Sequence, residues 1–416
     1  MEERNTLFQE IVIMGIKILW YVSGPDGSVP WEPKASWTNN FEQYKTQVEN
    51  IDKLGFYGAL LATDQHEAIT LTATLAPLTE RMKFLTALHP GLISPTKLAQ
   101  MALTIDKFNQ GRLLFNAVNG NDQGLSGFGM HIAHDERYEF SYEYWDAFRQ
   151  LYAGSNSGYQ GKYIQLAPRM TMPGRGPIPP AKNPFPLWGA GTSEPGVEYS
   201  SKILDWYLSF ADTPPKLGEK FKRVGARAEE KGRKLRFGTR LQIIVRDTEE
   251  EAWAHAQWLL DQTSIETAIR LASRQFGPEG IHAKIESDDP KVHRRVEALR
   301  AGRLPDVRDL EVYPNIWVGP SPFGFDVLYP WSGTWIVGSA KNVAERINEF
   351  YAQGTEAFII SGWPLISEGQ RIAKILLPLL ELDHEFDVPD YVASEHTHRL
   401  AAIPDYNWPE DEVKFS

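Results

Sequence analysis

The chain has 416 residues, and 43 Lys and Arg against 54 Asp and Glu give a formal net charge of −11 at pH 7. This acidic balance argues against a nucleic-acid or anionic-membrane surface as the main partner. The absence of cysteine excludes a disulfide scaffold, a thiolate metal site and a cysteine nucleophile. No run reaches the ~20 apolar residues of a membrane helix, and the first residues do not resemble a signal peptide. We therefore expect a cytoplasmic protein.

Short β-branched or aromatic runs alternate along the chain with longer stretches of helical periodicity. The predicted strands are 16–22, 56–62, 83–89, 112–118, 186–191, 205–210, 236–245 and 355–361. The predicted helices are 38–54, 67–80, 95–109, 135–152, 214–231, 248–260 and 368–380, the last one kinked at Pro378. Alternation of this kind is typical of βα units around a parallel sheet, and eight strands predict a single closed (β/α)8 TIM barrel.

Two insertions interrupt this alternation. Residues 153–185 read as a Gly- and Pro-rich loop with a small hairpin, and residues 263–340 hold an arginine-rich stretch followed by the loop SPFGFDVLYPWSG. The arginines fit either a solvated helix face or a mobile lid over an anionic ligand. We expect one barrel over residues 14–383, with an N-terminal extension at 1–13 and a tail at 384–416.

Polar residues follow several predicted strands at their carboxyl ends, where a (β/α)8 barrel carries its reactive groups. His66 follows the second strand, His89 ends the third and Asn119 follows the fourth. A single histidine at such a position is either a packing residue or a catalyst. The motifs G-x-S-x-G and H-E-x-x-H are absent, and no histidine and carboxylate cluster has ligand spacing, so we expect no metal site.

The run Gly-Ala-Gly-Thr-Ser leaves the fifth strand and enters a helix, with Gly191, Thr192 and Ser193 at its end. Backbone N–H groups and two hydroxyls at a helix start can hold a phosphate group. The same residues also suit an ordinary glycine turn with a capping hydroxyl. The position at a barrel strand end favours the phosphate site.

Arg240 lies within the seventh predicted strand, between apolar neighbours. Burial of a charge costs several kcal/mol unless it is paired or faces a ligand, so Arg240 is a candidate catalytic residue. Strand alternation places Gln242 on the same face. Trp363, in SGWP after the eighth strand, is expected to form an aromatic wall of the same pocket.

Several segments together resemble the bacterial luciferase-like flavin monooxygenases, and most closely their alkanesulfonate monooxygenase branch. These segments are LGFYGALLAT, RMKFLTALHPG, SPTKLAQMALTIDKFNQGRLLFNAVNG, HDERYEF, KGRKLRFGTRLQIIVRDTEEEAW, YPNIWVG and EAFIISGWP. The resemblance spans about residues 14–383. It implies a TIM barrel with an insertion and an enzyme that uses O2 and reduced FMN, supplied by a separate NAD(P)H:flavin reductase. In the alkanesulfonate branch the C–S bond is cleaved to an aldehyde and sulfite, and family members form homodimers or homotetramers.

The resemblance also implies roles for individual residues. Arg240 matches a strand arginine that meets the substrate anion and the oxygenated flavin. Tyr138, in HDERYEF, matches a tyrosine that contacts the FMN phosphate. Thr192 and Ser193, after Gly191, take the positions of the phosphate-loop hydroxyls.

Trp20, Ala87 and Asn119 are expected to line the isoalloxazine cavity from their strand ends. His66 lies near the place where the luciferase branch carries a histidine after its second strand. The alkanesulfonate branch carries a cysteine in that region, and this chain has none.

Three departures from the alkanesulfonate pattern concern the substrate. Gln242 stands where those enzymes carry a histidine, Trp363 and Leu365 replace a tyrosine and a histidine, and the loop SPFGFDVLYPWSG lacks an arginine. These changes remove positive charge and make the pocket more apolar. The expected substrate is thus an organosulfur compound, such as a sulfonate or sulfone, or a more apolar molecule. Two alternatives are an F420-dependent oxidoreductase of the same barrel family and a non-catalytic flavin-binding protein.

Overall fold

The computed structural model of the protein describes residues 15–63, 66–168 and 186–383. The strands within these residues are β1 (Lys17–Tyr21), β2 (Asp26–Gly27), β3 (Ser36–Trp37), β4 (Gly58–Leu61), β5 (Lys83–Leu88), β6 (Leu113–Ala117), β7 (Tyr159–Gln160), β8 (Gln165–Leu166), β9 (Leu187–Gly189), β10 (Trp206–Phe210), β11 (Arg236–Arg246), β12 (Glu311–Tyr313), β13 (Ile316–Trp317), β14 (Pro320–Ser321), β15 (Gly324–Phe325), β16 (Trp335–Ser339) and β17 (Ala357–Ser361).

The α-helices of the same residues are α1 (Phe41–Lys53), α2 (Ala68–Leu75), α3 (Pro95–Asn109), α4 (Asp122–Gly127), α5 (His134–Tyr152), α6 (Glu194–Ile203), α7 (Pro214–Glu229), α8 (Glu249–Asp261), α9 (Ile265–Ala272), α10 (Pro290–Arg300), α11 (Ala340–Ala352) and α12 (Leu365–Ile375). Short 3-10 helices occupy Pro33–Ala35, Ala76–Leu78, Ser273–Gln275, Gly277–His282 and Leu377–Leu379. No helix of the described residues is long and apolar enough to cross a membrane.

Eight parallel strands close into a barrel in the order β1, β4, β5, β6, β9, β10, β11 and β17, and β17 pairs again with β1. Each of these strands coincides with one of the eight predicted strands to within two residues at either end, so the (β/α)8 barrel is confirmed. In a barrel of this kind the strands are covered by helices outside and by packed side chains inside, and the carboxyl ends meet at one mouth. The mouth therefore brings together residues from all eight strand ends.

Helix ends in the structure follow local sequence signals. Ser94 accepts a hydrogen bond from the Lys97 backbone N–H and Pro95 begins α3, which runs over the predicted residues 95–109. At the other end of the chain, α12 stops at Ile375 and a 3-10 helix carries Pro378. Proline lacks the N–H that an α-helix needs, so the predicted kink is an end of the α-helix.

Strand β11 is longer than its neighbours and continues past the barrel. Its first half pairs with β10, and the half that begins at Gln242 pairs on the same edge with β16. Strand β16 was not among the predicted elements, because residues 263–340 were interpreted as an insertion, and helix α11, which follows that range, was not predicted either. The additional strand extends the sheet above the barrel mouth on the side of β11.

The insertion at 263–340 also holds α9, α10 and short antiparallel strands, and its arginines bond largely within it. Arg274 donates to the Phe323 carbonyl, Arg300 to the Ile281 carbonyl, and Arg294 pairs with Asp309. These bonds show that the arginine stretch is not simply a solvated face. The hairpin expected at 153–185 is confirmed as β7 and β8, while 169–185, 1–13 and 384–416 lie outside the described residues.

Candidate active site

The loop between β9 and α6 has the form of a phosphate cradle. Ser193 caps α6, since its Oγ accepts from the Gly196 N–H at 3.3 Å, and it donates to the Tyr138 hydroxyl at 3.3 Å. Tyr138 comes from α5, so the structure brings together Tyr138, Gly191, Thr192 and Ser193 as the sequence predicts. Thr192 is exposed at the same turn. Backbone N–H groups and hydroxyls thus converge at a helix start.

Close backbone packing shapes this loop and explains its glycines. A Cβ built on Gly191 would lie 2.7 Å from the Cα of Gly196, and one on Gly196 would lie 3.0 Å from the Tyr138 hydroxyl. The acidic residue in the first helical turn, Glu194, is exposed and pairs with Arg227 at 3.3 Å. The cradle therefore has space for a ligand only while both glycines lack side chains.

Asn119, at the exit of the neighbouring strand β6, has a buried amide. Neither its Nδ2 nor its Oδ1 has a hydrogen-bond partner among the described residues. An unpaired buried amide costs about 1–3 kcal/mol per group, which a bound ligand with a donor and an acceptor can offset. The structure thus places Asn119 just after β6, the strand that pairs with β9.

A cavity of about 420 Å³ lies at the ends of β4 and β5, lined by His66, Ala87, His89, Leu92 and Phe128 among others. Ala87, which we expect to line the isoalloxazine cavity, and His66 therefore border one space. His66 is exposed and its ring packs edge-on against Tyr44, with centroids 5.5 Å apart. This location puts His66 at the rim of the cavity.

His89 shares this cavity and has a defined hydrogen bond. Its Nδ1 lies 2.7 Å from the Val118 carbonyl. Burial lowers the pKa of His89 from its usual value, so the ring is neutral near pH 7 and Nδ1–H donates to the carbonyl. The remaining nitrogen, Nε2, is then a hydrogen-bond acceptor.

Arg240 is buried at the mouth, on the strand beyond β10. One terminal nitrogen donates to Ser361 Oγ at 2.8 Å and the other to the Leu241 carbonyl. The guanidinium carbon lies 4.9 Å from the Tyr21 ring centroid and 4.6 Å from that of Phe323. Burial lowers the pKa of Arg240 to about 10, and no carboxylate of the described residues forms an ion pair with it. A buried cation without a counter-charge is a site for an anionic or strongly dipolar ligand.

Gln242 shares the inner face with Arg240, but its amide nitrogen is engaged. It donates to the Ser332 carbonyl at 2.8 Å, and the side chain is fully buried. Its Oε1 has no partner among the described residues. Gln242 therefore holds the loop after β15, which favours a positioning role over the predicted catalytic one.

Trp363 forms an aromatic wall as predicted, and it belongs to a larger cluster. Its ring centroid lies 5.7 Å from that of Trp335, 6.3 Å from that of Trp31 and 6.1 Å from that of Phe323. Trp335 and Trp31 lie in segments read as insertion or loop, so the sequence offered no strand-end signal for them. The wall beside Arg240 is thus built from four aromatic rings.

The placement of Trp20 corrects the sequence prediction. Trp20 packs against Phe56, with centroids 5.7 Å apart, and lies against Gly369 of α12. Alternation along β1 puts Trp20 on the helix side and Tyr21 toward Arg240. Tyr21 is the residue of β1 that belongs to the site, and a one-residue shift in the assumed strand face accounts for the error.

Comparison with known proteins agrees with the barrel fold. A family model described as luciferase-like monooxygenase matches residues 16–357. The fold is similar to that of a long-chain alkane monooxygenase (LadA), with 17% identity, a TM-score of 0.63, and coverage of 88% of this chain and 90% of that one. DmoA from Hyphomicrobium sulfonivorans gives 18% identity, a TM-score of 0.65, and coverage of 88% and 87%.

An F420-dependent secondary alcohol dehydrogenase in complex with an F420-acetone adduct shares the fold as well. It is 15% identical, with a TM-score of 0.58 and coverage of 88% of this chain and 99% of that one. The solved relatives show the fold, while the family model spans most of the barrel. This chain belongs to the luciferase-like monooxygenase family.

Proposed function

We propose that the protein is a two-component monooxygenase that uses O2 and reduced FMN delivered by a separate NAD(P)H:flavin reductase. One observation carries the proposal: a backbone cradle for phosphate and a buried guanidinium that has no carboxylate partner among the described residues share one barrel mouth. Strand β10 alone separates β9, which leads into the cradle, from β11, which carries Arg240. A cofactor with a phosphate at one end and a reactive ring at the other fits between them.

The residues present fit FMN. Gly191, Thr192, Ser193 and Tyr138 would hold its phosphate, since they combine close backbone approach with hydroxyl groups. The unpaired amide of Asn119 supplies a donor and an acceptor suited to the polar edge of a flavin ring.

Ala87 and His89 border the adjoining cavity, where a short side chain leaves room and a neutral imidazole offers an acceptor at Nε2. Reduced FMN, when bound, activates O2, so that one oxygen atom enters the substrate and the other leaves as water.

Arg240 would supply the electrostatic part of the chemistry. Its positive charge stabilises negative charge near the reacting atoms, and aromatic rings on two sides exclude water from it. Removal of comparable preorganised donors costs ~10²–10³ in rate. Arg240 is therefore proposed as catalytic, while His66 at the cavity rim is proposed to contact substrate on entry.

The substrate proposed for this site is a small organosulfur compound or a similar molecule with a polar head and an apolar body. A single unpaired cation beside Phe323 and Trp363 matches that combination. No lysine or arginine of the described residues shifts the pKa of Arg240, which disfavours a substrate with several negative charges.

The proposal is tested by titrating the purified protein with FMN, first oxidised and then photoreduced under nitrogen, and by stopped-flow mixing with O2. We expect reduced FMN to bind, and bound flavin to reoxidise through a transient species whose spectrum differs from both end states. Sulfonates and sulfones are then screened for product. Binding of reduced F420 without binding of FMN would replace the proposal by hydride transfer, and flavin binding without any oxygen transfer would indicate a non-catalytic protein.

A further inference from the structure

Phe323 takes no part in the phosphate cradle or in the hydrogen bonds of Arg240, yet its ring lies beside the Arg240 guanidinium. Its ring centroid lies 4.6 Å from the Arg240 guanidinium carbon, 5.4 Å from the Tyr21 centroid and 6.1 Å from the Trp363 centroid. Tyr21 ends β1, Arg240 lies in β11 and Trp363 follows β17, and these strands are consecutive in the barrel. One ring from the insertion therefore lies across three adjacent strand ends.

The guanidinium sits in an aromatic corner. The Tyr21 and Phe323 rings meet at 87°, and both lie within 4.9 Å of the Arg240 guanidinium carbon. These two rings cover two sides of the cation, and its terminal nitrogens donate to Ser361 Oγ and to the Leu241 carbonyl. The positive charge remains attractive to a ligand because the ring faces carry only partial negative charge.

The loop that presents Phe323 is held in a defined shape. The Phe323 carbonyl accepts from Arg274 at 2.7 Å and from Ser332 Oγ at 2.9 Å. Asp326 accepts from the backbone N–H groups of Trp331, at 2.8 Å, and Gly333, at 2.7 Å. These bonds fix the ring over Arg240 rather than leaving it in solvent.

A cation with an aromatic cover discriminates between anions. A compact, strongly hydrated anion such as sulfate must lose its water to approach the guanidinium beside an apolar ring, and the described residues show no second cation there to compensate it. An anion with an apolar body replaces that lost hydration by contact with the ring. The corner therefore favours amphiphilic monoanions.

We propose that Phe323 is a specificity-determining residue that covers Arg240 and restricts access to ligands with one anionic or strongly dipolar head on an apolar body. The proposal deepens the function proposed above and rests on Arg240 being the substrate-facing cation. Arg274 and Asp326 act through Phe323 as positioning residues.

The first experiment measures how well Arg240 is covered, without flavin. The full chain is treated with phenylglyoxal, and modification of Arg240 is followed by peptide mass spectrometry, with Arg236 of the same strand as internal reference. The labelling rate of a covered side chain depends on the fraction of molecules in which that side chain is uncovered. We therefore expect about tenfold faster labelling of Arg240 in Phe323→Ala than in the wild type.

A matched control separates the cover from the loop itself. Trp331 lies in the same loop, is 41% exposed and contacts Phe210 at 5.9 Å, so Trp331→Ala should leave labelling of Arg240 unchanged. Phe323→Leu keeps an apolar side chain and should give an intermediate rate. Equal labelling of Arg240 in wild type and Phe323→Ala, with circular dichroism showing both folded, would overturn the proposal.

The second experiment tests the ligand class with two probes. Octane-1-sulfonate should protect Arg240 of the wild type from phenylglyoxal better than sulfate does at equal concentration, and Phe323→Ala should lose most of this difference. Equal protection by both anions in the wild type would contradict the ligand class. Neither experiment contains flavin. A protein that fails to bind FMN but shows both effects would therefore refute the proposed monooxygenase activity, while the proposed role of Phe323 would remain.

Discussion

The two sides of the barrel mouth are built on different principles. The phosphate side consists of one short loop and helix start, Gly191 to Gly196, joined by a single distant residue, Tyr138. The Arg240 side gathers side chains from β1, β11, β17 and the insertion. Backbone atoms form most of the first region, which we propose holds a phosphate, whereas side chains form the second, which we propose selects the substrate. The following experiments test this division.

The largest effect is expected at the charge itself. Arg240→Ala should lower product formation about 100- to 1000-fold, because it removes the only positive charge that the described residues place at this aromatic wall. FMN affinity should change little. Rapid-mixing product analysis and an FMN titration measure the two separately. Arg236→Ala is the control: Arg236 pairs with Glu356 at 2.8 Å at the opposite end of β11, so its loss should reduce stability rather than turnover. Full turnover in Arg240→Ala would refute the proposal that the Arg240 side of the mouth controls the reaction.

The loop on the Arg240 side should also respond to pH. Burial raises the pKa of Asp326 to about 7 from a usual 3.8. Between these values the folded protein retains a proton that the unfolded chain has released, so the contribution of Asp326 to stability is greatest below about pH 4 and falls as the pH rises to about 7. The slope from one such group reaches at most about 1.4 kcal/mol per pH unit.

Asp326→Asn should remove this slope and preserve the loop, since an amide oxygen can accept the same N–H groups. Urea unfolding at several pH values between 4 and 8 measures it. Burial lowers the pKa of His255 to about 4, which acts in the opposite direction as the pH falls below 6.5. The quantity to compare is therefore the difference in unfolding free energy between variant and wild type at each pH. If this difference is the same at every pH, Asp326 does not titrate in this range.

On the phosphate side, Gly191→Ala should weaken FMN binding about 30-fold, or ~2 kcal/mol, because the new Cβ would meet Gly196 backbone atoms at 2.7 Å. Product formation at saturating FMN should recover, in contrast to Arg240→Ala. Gly127→Ala is a suitable control, since a Cβ there meets nothing within 4 Å. Unchanged FMN affinity in Gly191→Ala would place the phosphate elsewhere.

The smallest effect is expected at the edge of the cradle. Tyr138→Phe removes the hydroxyl that accepts from Ser193 at 3.3 Å, and one hydrogen bond of ~1 kcal/mol corresponds to about a fivefold loss of FMN affinity. Tyr159→Phe is the matched control, because its hydroxyl donates to Asp146 outside the loop. Isothermal titration calorimetry compares the two, and equal affinities would remove Tyr138 from the proposed site.

The sequence predicted well where the signal is local. Eight strands, the cap of α3 and the cradle loop each depend on residues close together in the chain, and all appear where expected. Arg240 was also predicted, because an arginine among apolar strand residues is unusual whatever surrounds it. These features follow from propensity, capping and burial cost, which act over a few residues.

The Arg240 wall could not be predicted in the same way. Phe323 and Trp335 lie in a segment with no strand-end pattern. Phe323 contacts Arg240 and Trp363, and Trp335 contacts Trp363, across 28 to 83 residues of sequence. The error at Trp20 has a related cause, since period-two alternation defines two faces but does not say which one is inside. Only the closure of the barrel assigns Tyr21 to the mouth.

The sequence by itself thus determined the barrel, the glycine cradle and the presence of a costly buried arginine. The tertiary structure decided what surrounds that arginine: an aromatic corner in place of a second cation, and a loop held over it by Asp326 and Arg274. The physical reason is the distance along the chain over which each property is determined. Backbone conformation and burial cost are encoded within a few neighbouring residues, whereas the environment of a charge depends on every chain segment that packs around it.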